Sequence, residues 1–253
     1  MNTLRLSLRL GWLLLAILPL TGCVNVKYRA APKSTPAATA LNLSVTKPPV
    51  EAVLHTVVVF HGPGSWKRDA YWDEYVVSLT NRGGTPLVLE MASLTDFTGT
   101  SSAASDNPWL LESQSRTREA ELKAKVKNVV VQVGSGYVGV SLAATGALAI
   151  GGFLGGVIAL PAYVAGHIYV NVHSREKIQD EFTRRRLALP ATIAPGATVQ
   201  GSFFFRISPS PRHLSMLFQQ DGAYDKVLLE LTTLAGLHLA RPDQPDRGLP
   251  PEK

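Results

Sequence analysis

The chain has 253 residues, of which 45% are hydrophobic and only 17% charged, with a formal net charge of +6 at pH 7. This allows one large or two small domains, and the modest positive excess suits nearness to anionic lipid while giving little reason to expect a nucleic-acid partner. The single cysteine, Cys23, excludes an intramolecular disulfide.

Residues 1–22 have the parts of an exported leader. Arg5 and Arg9 make a basic start, and Gly11 to Leu20 supply a short apolar core. The segment closes on Leu20-Thr21-Gly22-Cys23, which resembles the lipobox of bacterial lipoproteins. The resemblance covers these 23 residues only. It implies that Cys23 is the first mature residue, carrying a thioether-linked diacylglycerol and an acylated amine. An ordinary signal or anchor helix with a chance cysteine is the other reading. Val24 follows the cysteine; in Gram-negative lipoproteins an Asp there favours inner-membrane retention, so the resemblance leans toward the outer membrane and a periplasm-facing protein of the cell envelope. Residues 23–52, with Pro32, Pro36, Pro48 and Pro49 among Ala, Ser and Thr, read as a flexible tether. Lys27, Arg29 and Lys33 either touch lipid headgroups or are solvated linker charge.

From residue 53 the apolar period becomes two. Strands are expected near 53–61, 71–81 and 85–92, with Tyr75, Val77 and Leu79 alternating against Val76, Ser78 and Thr80. Asn81-Arg82-Gly83-Gly84 signals a turn, and residues 99–107 a polar loop. A helix begins after Asp106 or Asn107 as cap with Pro108 in the first turn, and 109–128 is rich in helix formers.

Val129 to Val172 contains no Lys, Arg, Asp or Glu. A run longer than about 18 apolar residues is a membrane-span candidate, and this one is long enough to cross and return. Two arms, 129–150 and 153–172, match a hydrocarbon core about 30 Å thick, with Gly151-Gly152 and Gly155-Gly156 available for the turn. Small residues recur every fourth position at Ser135, Gly139, Ala143, Ala147, Gly151, Gly155 and Ala159. That spacing lets helix backbones approach closely in lipid, within one chain or between copies. His167 is either neutral and bonded to Ser135 or Gln132, or a proton sensor. Residues 173–186 form a charged helix, so 108–186 reads as an inserted helical hairpin. It either enters the bilayer or is shielded in an oligomer or against the sandwich. Lys123, Lys125, Lys127, Arg175 and Lys177 flank it, as lipid-facing cations or as solvated helix ends.

Strand signals return near 187–194, 198–207, 213–220 and 226–233, punctuated by Pro195-Gly196 and Asp221-Gly222. Val199, Phe203, Phe205 and Ile207 share one face, as do Leu214, Met216 and Phe218. Residues 241–253 read as a disordered tail. Three strands before the insertion and four after it suit an immunoglobulin-like antiparallel β-sandwich of about seven strands, an α+β fold whose halves, 53–107 and 187–240, have to meet.

Gly134-Ser135-Gly136-Tyr137-Val138-Gly139 matches a dinucleotide fingerprint, but no acid lies between Glu121 and Glu176 to hold a ribose. His61-Gly62-Pro63-Gly64 resembles an oxyanion-hole strand without the G-x-S-x-G elbow that should accompany it. The six histidines show no metal-ligand spacing. The sequence therefore predicts no cofactor, no metal and no catalytic residue, and a structural or associative envelope protein. Its expected partners are membrane lipid, further copies of itself and another envelope protein. The alternatives are a ligand- or partner-binding lipoprotein for which the hairpin is only an anchor, and an enzyme of unreadable type.

Overall fold

A strand with one apolar face needs a second layer to cover it, and here two antiparallel sheets cover one another. The computed structural model describes residues 29–30, 40–59, 65–68, 70–125 and 163–239. The strands are β1 (Arg29–Ala30), β2 (Leu43–Lys47), β3 (Val50–Val58), β4 (Lys67–Arg68), β5 (Trp72–Asn81), β6 (Leu87–Thr95), β7 (Ser101–Ala103), β8 (Ala191–Ile193), β9 (Thr198–Arg206), β10 (His213–Gln220) and β11 (Ala223–Glu230). Among the described residues, the α-helices α1 (Pro108–Lys125) and α2 (Tyr163–Arg185) lie between β7 and β8 in the chain.

One sheet runs β2-β3-β5-β9 and the other β11-β10-β6. Both β7 and β8 pair with the free side of β6, β7 along Ser93–Thr95 and β8 along Leu87–Leu89. The pair β1–β4 forms a separate two-residue ribbon. Between the sheets lies one core, with Leu54, Tyr75, Val77, Leu79, Phe203 and Phe205 from the first and Leu87, Leu89, Leu94, Leu214, Met216 and Phe218 from the second. Burying each such side chain contributes roughly 1.5–3 kcal/mol.

Each half of the chain supplies strands to both sheets. β9 pairs with β5 over nine residue pairs, from Trp72↔Arg206 to Thr80↔Thr198, and β10 pairs with β6. The expectation that the two halves meet is thus met at the level of individual strands. The turn after β5 does not close a hairpin; it carries the chain from one sheet to the other. Asn81 makes that crossing, with its buried amide donating to Thr85 O (2.8 Å) and Ile193 O (3.0 Å) while its Oδ1 accepts from Gly83 N. A Cβ at Gly83 would fall 2.9 Å from Pro49 Cβ, so the crossing requires glycine there. At Asp221-Gly222 both φ angles are positive (51° and 80°), as a tight two-residue hairpin requires.

Several expected boundaries move. Residues 43–52, assigned to the tether, belong to the sandwich: Val45 pairs with Ala52, and Leu43 and Val45 pack on the core. Pro48 and Pro49 fill the tight β2–β3 turn instead of marking a linker. The polar loop 99–107 contains β7. The signal segment 1–22, Cys23, the stretch 31–39, the first apolar arm 129–150, the start of the second and the tail 241–253 lie outside the described residues. So do the proposed helix-packing positions Ser135, Gly139, Ala143, Ala147, Gly151, Gly155 and Ala159. The end of the second arm and the charged segment after it are one continuous helix, α2. Among the described residues no helix is long and apolar enough to cross a membrane.

Since the described strands of both sheets lie outside residues 126–162, replacing that stretch by a glycine-serine linker of about a dozen residues, spanning roughly 20 Å, should leave the sandwich folded. The expected result is a β-type circular dichroism spectrum and a single cooperative melting transition.

Candidate functional site

The outer face of the four-stranded sheet carries the helices. Phe203-Phe204-Phe205 is apolar without alternation, as a strand covered on both faces requires. Phe203 and Phe205 enter the sandwich core, while Phe204 turns outward beside Trp72. Phe182 of α2 stacks on Phe204 with ring centroids 4.0 Å apart, and Trp72 meets both rings edge-on at 5.2 Å. Leu111 of α1 and Ile178 of α2 complete this second cluster. Both helices are therefore rooted on one face of one sheet. The chain leaving α2 is held as tightly: Leu187 N donates to Ser202 O (2.9 Å), and a Cβ at Gly201 would fall 2.8 Å from that of Leu187. The ribbon strand β1 also lies against α2.

The root is unusually polar for a buried layer. Glu74 is fully buried, and its carboxylate accepts from Trp66 Nε1 and Ser202 Oγ, both at 2.6 Å, with Arg185 Nη1 at 3.5 Å. Lys67, also buried, donates to Ala70 O at 3.0 Å and to Trp72 O, and lies 3.9 Å from the Trp72 ring centroid. Burial pulls its ammonium down to about 8, against the attraction of Asp73, Glu74 and Glu112.

Helix α1 starts where Asn107 Oδ1 accepts from Trp109 N (3.0 Å) and Leu110 N (3.1 Å), which identifies Asn107 as the cap. It is pinned by polar contacts rather than by a continuous apolar stripe. Ser115 Oγ accepts from Ile207 N at 2.9 Å. Arg118 reaches the β6–β7 turn, where its Nη2 lies 2.6 Å from both Asp96 Oδ2 and Thr98 Oγ1. Arg118 and Asp96 are buried, at 7% and 1% side-chain exposure. Burial alone would raise the Asp96 carboxyl, but hydrogen bonds from Thr98 and Arg118 hold it below its usual value. At the next residue, Glu119 accepts from Tyr71 Oη (2.7 Å).

Beside α1 a groove of about 510 Å³ opens between the helix and strand β7, lined by Arg206 together with serine, threonine and glutamine side chains. A smaller cavity, about 220 Å³, lies between Asp106 and Arg186. The sequence did not single out the groove. Its available signal was Arg206, a cation directly after the apolar run Phe203-Phe204-Phe205.

Of the residues considered for chemistry, His55 bonds Ser78 Oγ (2.8 Å), His213 faces Glu230 (3.2 Å) and His238 pairs with Asp73 (2.6 Å). The last pair resembles part of a catalytic dyad, yet both side chains are 2% exposed or less and neither lines either cavity. It is a tie between the C-terminal turn and β5. Among the described residues no group of His, Cys, Asp or Glu is placed to hold a metal. His61 and Gly134–Gly139 lie outside the described residues. Compared with known proteins, the chain matches no family model, and no curated sequence is significantly similar to it.

Two outcomes test this layer. Arg118→Met strands the Asp96 carboxylate and should cost about 3–5 kcal/mol in urea unfolding. Lys67 releases its proton near pH 8 when folded and near 10.5 when unfolded. Between those values the unfolded chain binds more protons, so stability should rise with pH by up to about 3 kcal/mol. Below pH 8 both states are protonated and the cost of burying the ammonium is carried in full. The urea midpoint should climb from pH 8 to 10, and that slope should flatten in Lys67→Met.

Proposed function

We propose that this is a lipid-anchored protein of the bacterial cell envelope, with its sandwich facing the periplasm and a glycine-rich helical hairpin that inserts into the membrane or packs against further copies. Its role is structural or associative rather than enzymatic. The observation that carries this reading is that α1 and α2 are rooted together on one face of one sheet. The two helices that bracket the uncharged stretch thus stand on the same face of the sandwich, the placement a membrane hairpin needs. The lipobox-like ending at Cys23 supplies a second anchor. Cys23 is six residues from Arg29, and a chain spans at most about 3.3–3.6 Å per residue. A lipidated Cys23 thus lies within roughly 20 Å of β1, which rests against α2. Acyl chains on that cysteine would give firm attachment at about 0.8 kcal/mol per buried CH₂.

We take the sandwich to be immunoglobulin-like. Strands β3, β5 and β9 stand as the A, B and E strands of that topology, and β6, β10 and β11 as C, F and G, with the helical insertion between C and E. The second reading is a partner-binding lipoprotein whose hairpin only anchors it, and the groove beside β7 favours giving it weight.

Membranes from a Cys23→Ala strain, washed with alkaline carbonate, separate the two. Retention in the pellet is expected if the hairpin is inserted, and release would leave the acyl chains as the only anchor. Crosslinking through cysteines placed at Gly139 or Gly151 should give dimers if the hairpin self-associates.

A further inference from the structure

The groove between β7 and α1 has an unused edge of sheet on one wall. Asp96 N donates to Thr100 O and Ala104 N to Ala92 O, with Leu94 opposite Ser102 in the same register. In an antiparallel pair, alternate residues turn both backbone groups toward the partner strand. Residues 100, 102 and 104 therefore face β6, and Ser101, Ala103 and Ser105 turn their N–H and C=O groups the other way. Ser105 confirms the direction, since its N–H reaches across to Phe204 O of β9 at 3.0 Å. The outward groups of Ser101 and Ala103 have no backbone partner among the described residues. The edge is short, but it opens into a cavity instead of bulk solvent.

Arg206 also lines the groove. Its guanidinium is half-buried and has no hydrogen bond or ion pair among the described residues. Burial and the neighbouring Arg118 both pull it below its ordinary value, so it is a cation held at some cost. Asp96 and Glu121 attract Arg206 from nearby, but both are already engaged by the terminal nitrogens of Arg118, so no carboxylate is paired with Arg206 itself among the described residues. Ser113 and Thr117 on α1 line the opposite wall.

We propose that this groove receives an extended peptide segment of a partner protein, which adds as a strand to the outer edge of β7 and sets a carboxylate on Arg206. The backbone edge selects a peptide over a free anion, because it offers donors and acceptors in alternation. The guanidinium selects an acidic residue, binding carboxylate in charge-assisted hydrogen bonds. This deepens the associative reading of the sandwich and does not depend on where the hairpin lies, so it can fail while the membrane anchor stands.

The test uses the full-length protein in detergent micelles. The probes are a fluorescent heptapeptide of alternating threonine and valine with a central glutamate, amidated at its C-terminus, and its glutamine counterpart. The glutamate peptide should bind about tenfold more tightly, and Arg206→Met should bring the two to equal affinity. Ala103→Pro removes an outward N–H without touching the β6 ladder and should weaken both peptides about tenfold. Should that variant fold poorly, N-methylating alternate amides of the probe makes the same test on the native protein. Absence of saturable binding at millimolar peptide, equal binding of the two peptides to the native chain, or complete displacement by inorganic phosphate with no effect of N-methylation would each overturn the proposal.

Discussion

The pairing of β5 with β9 is the join on which the molecule depends. One strand precedes the helical insertion and the other follows it, and nine residue pairs hold them together. Without that seam the four-stranded sheet ends at β5, and Phe203 and Phe205 leave the sandwich core. The outer cluster fails as well, because Trp72 and Phe204 are brought side by side only by this register. An insertion of this length is tolerable because loop closure costs only about 0.6 kcal/mol for each doubling of length, which a buried nine-pair ladder offsets.

The layer beneath the helices uses polar contacts where an apolar seam would be the simpler solution. Glu74, Lys67, Arg118 and Asp96 are all buried, and each desolvated charge destabilises unless its partners are placed well. For the carboxylates they are: Glu74 has an indole, a hydroxyl and a guanidinium, and Asp96 has Arg118, two backbone N–H groups and a threonine hydroxyl, while Arg118 keeps its buried Nε without a hydrogen bond. An apolar helix can slide or rotate on an apolar sheet at little cost. A helix fixed by Ser115 on Ile207 N and by Arg118 on Asp96 cannot, because any slip leaves buried groups unpaired. We take this as the physical reason for the polarity: the helices emerge from the sheet in one orientation.

Much of this fold was legible in the residues. Tyr75, Val77 and Leu79 alternate cleanly, Asn107-Pro108 announces α1, and Asp221-Gly222 announces the last hairpin. The need for the two halves to meet followed from strand number alone. What escaped was set by tertiary context. β2 reads LSVTK ahead of two prolines, and too few of its residues are apolar to reveal a strand until β3 lies beside it. β7 is three small residues with no pattern of its own; it exists because β6 offers a free side. Glu74 shares the strand face of Val76, Ser78 and Thr80, and the unalternating Phe203-Phe204-Phe205 run in its partner is the one local feature that goes with cover on both faces. The groove was illegible for the same reason: its walls come from residues 101–105, α1 and the end of β9, which no local pattern connects.

The groove and the helix root share α1, and this bears on how the two ends of the molecule are related. One side of α1 carries Leu111, Ser115 and Arg118 into the sheet, while Ser113 and Thr117 face the cavity. Arg118 joins the two, since its guanidinium secures the helix to Asp96 and also repels Arg206. An acidic strand seated on Arg206 would relieve that repulsion and tighten the contact that fixes α1. By linkage, whatever fixes α1 from its far end would favour the same acidic strand by an equal factor. The coupling is bounded by one screened charge–charge interaction at a half-buried site, a few kcal/mol at most. It therefore suits a bias in partner binding rather than an all-or-none switch.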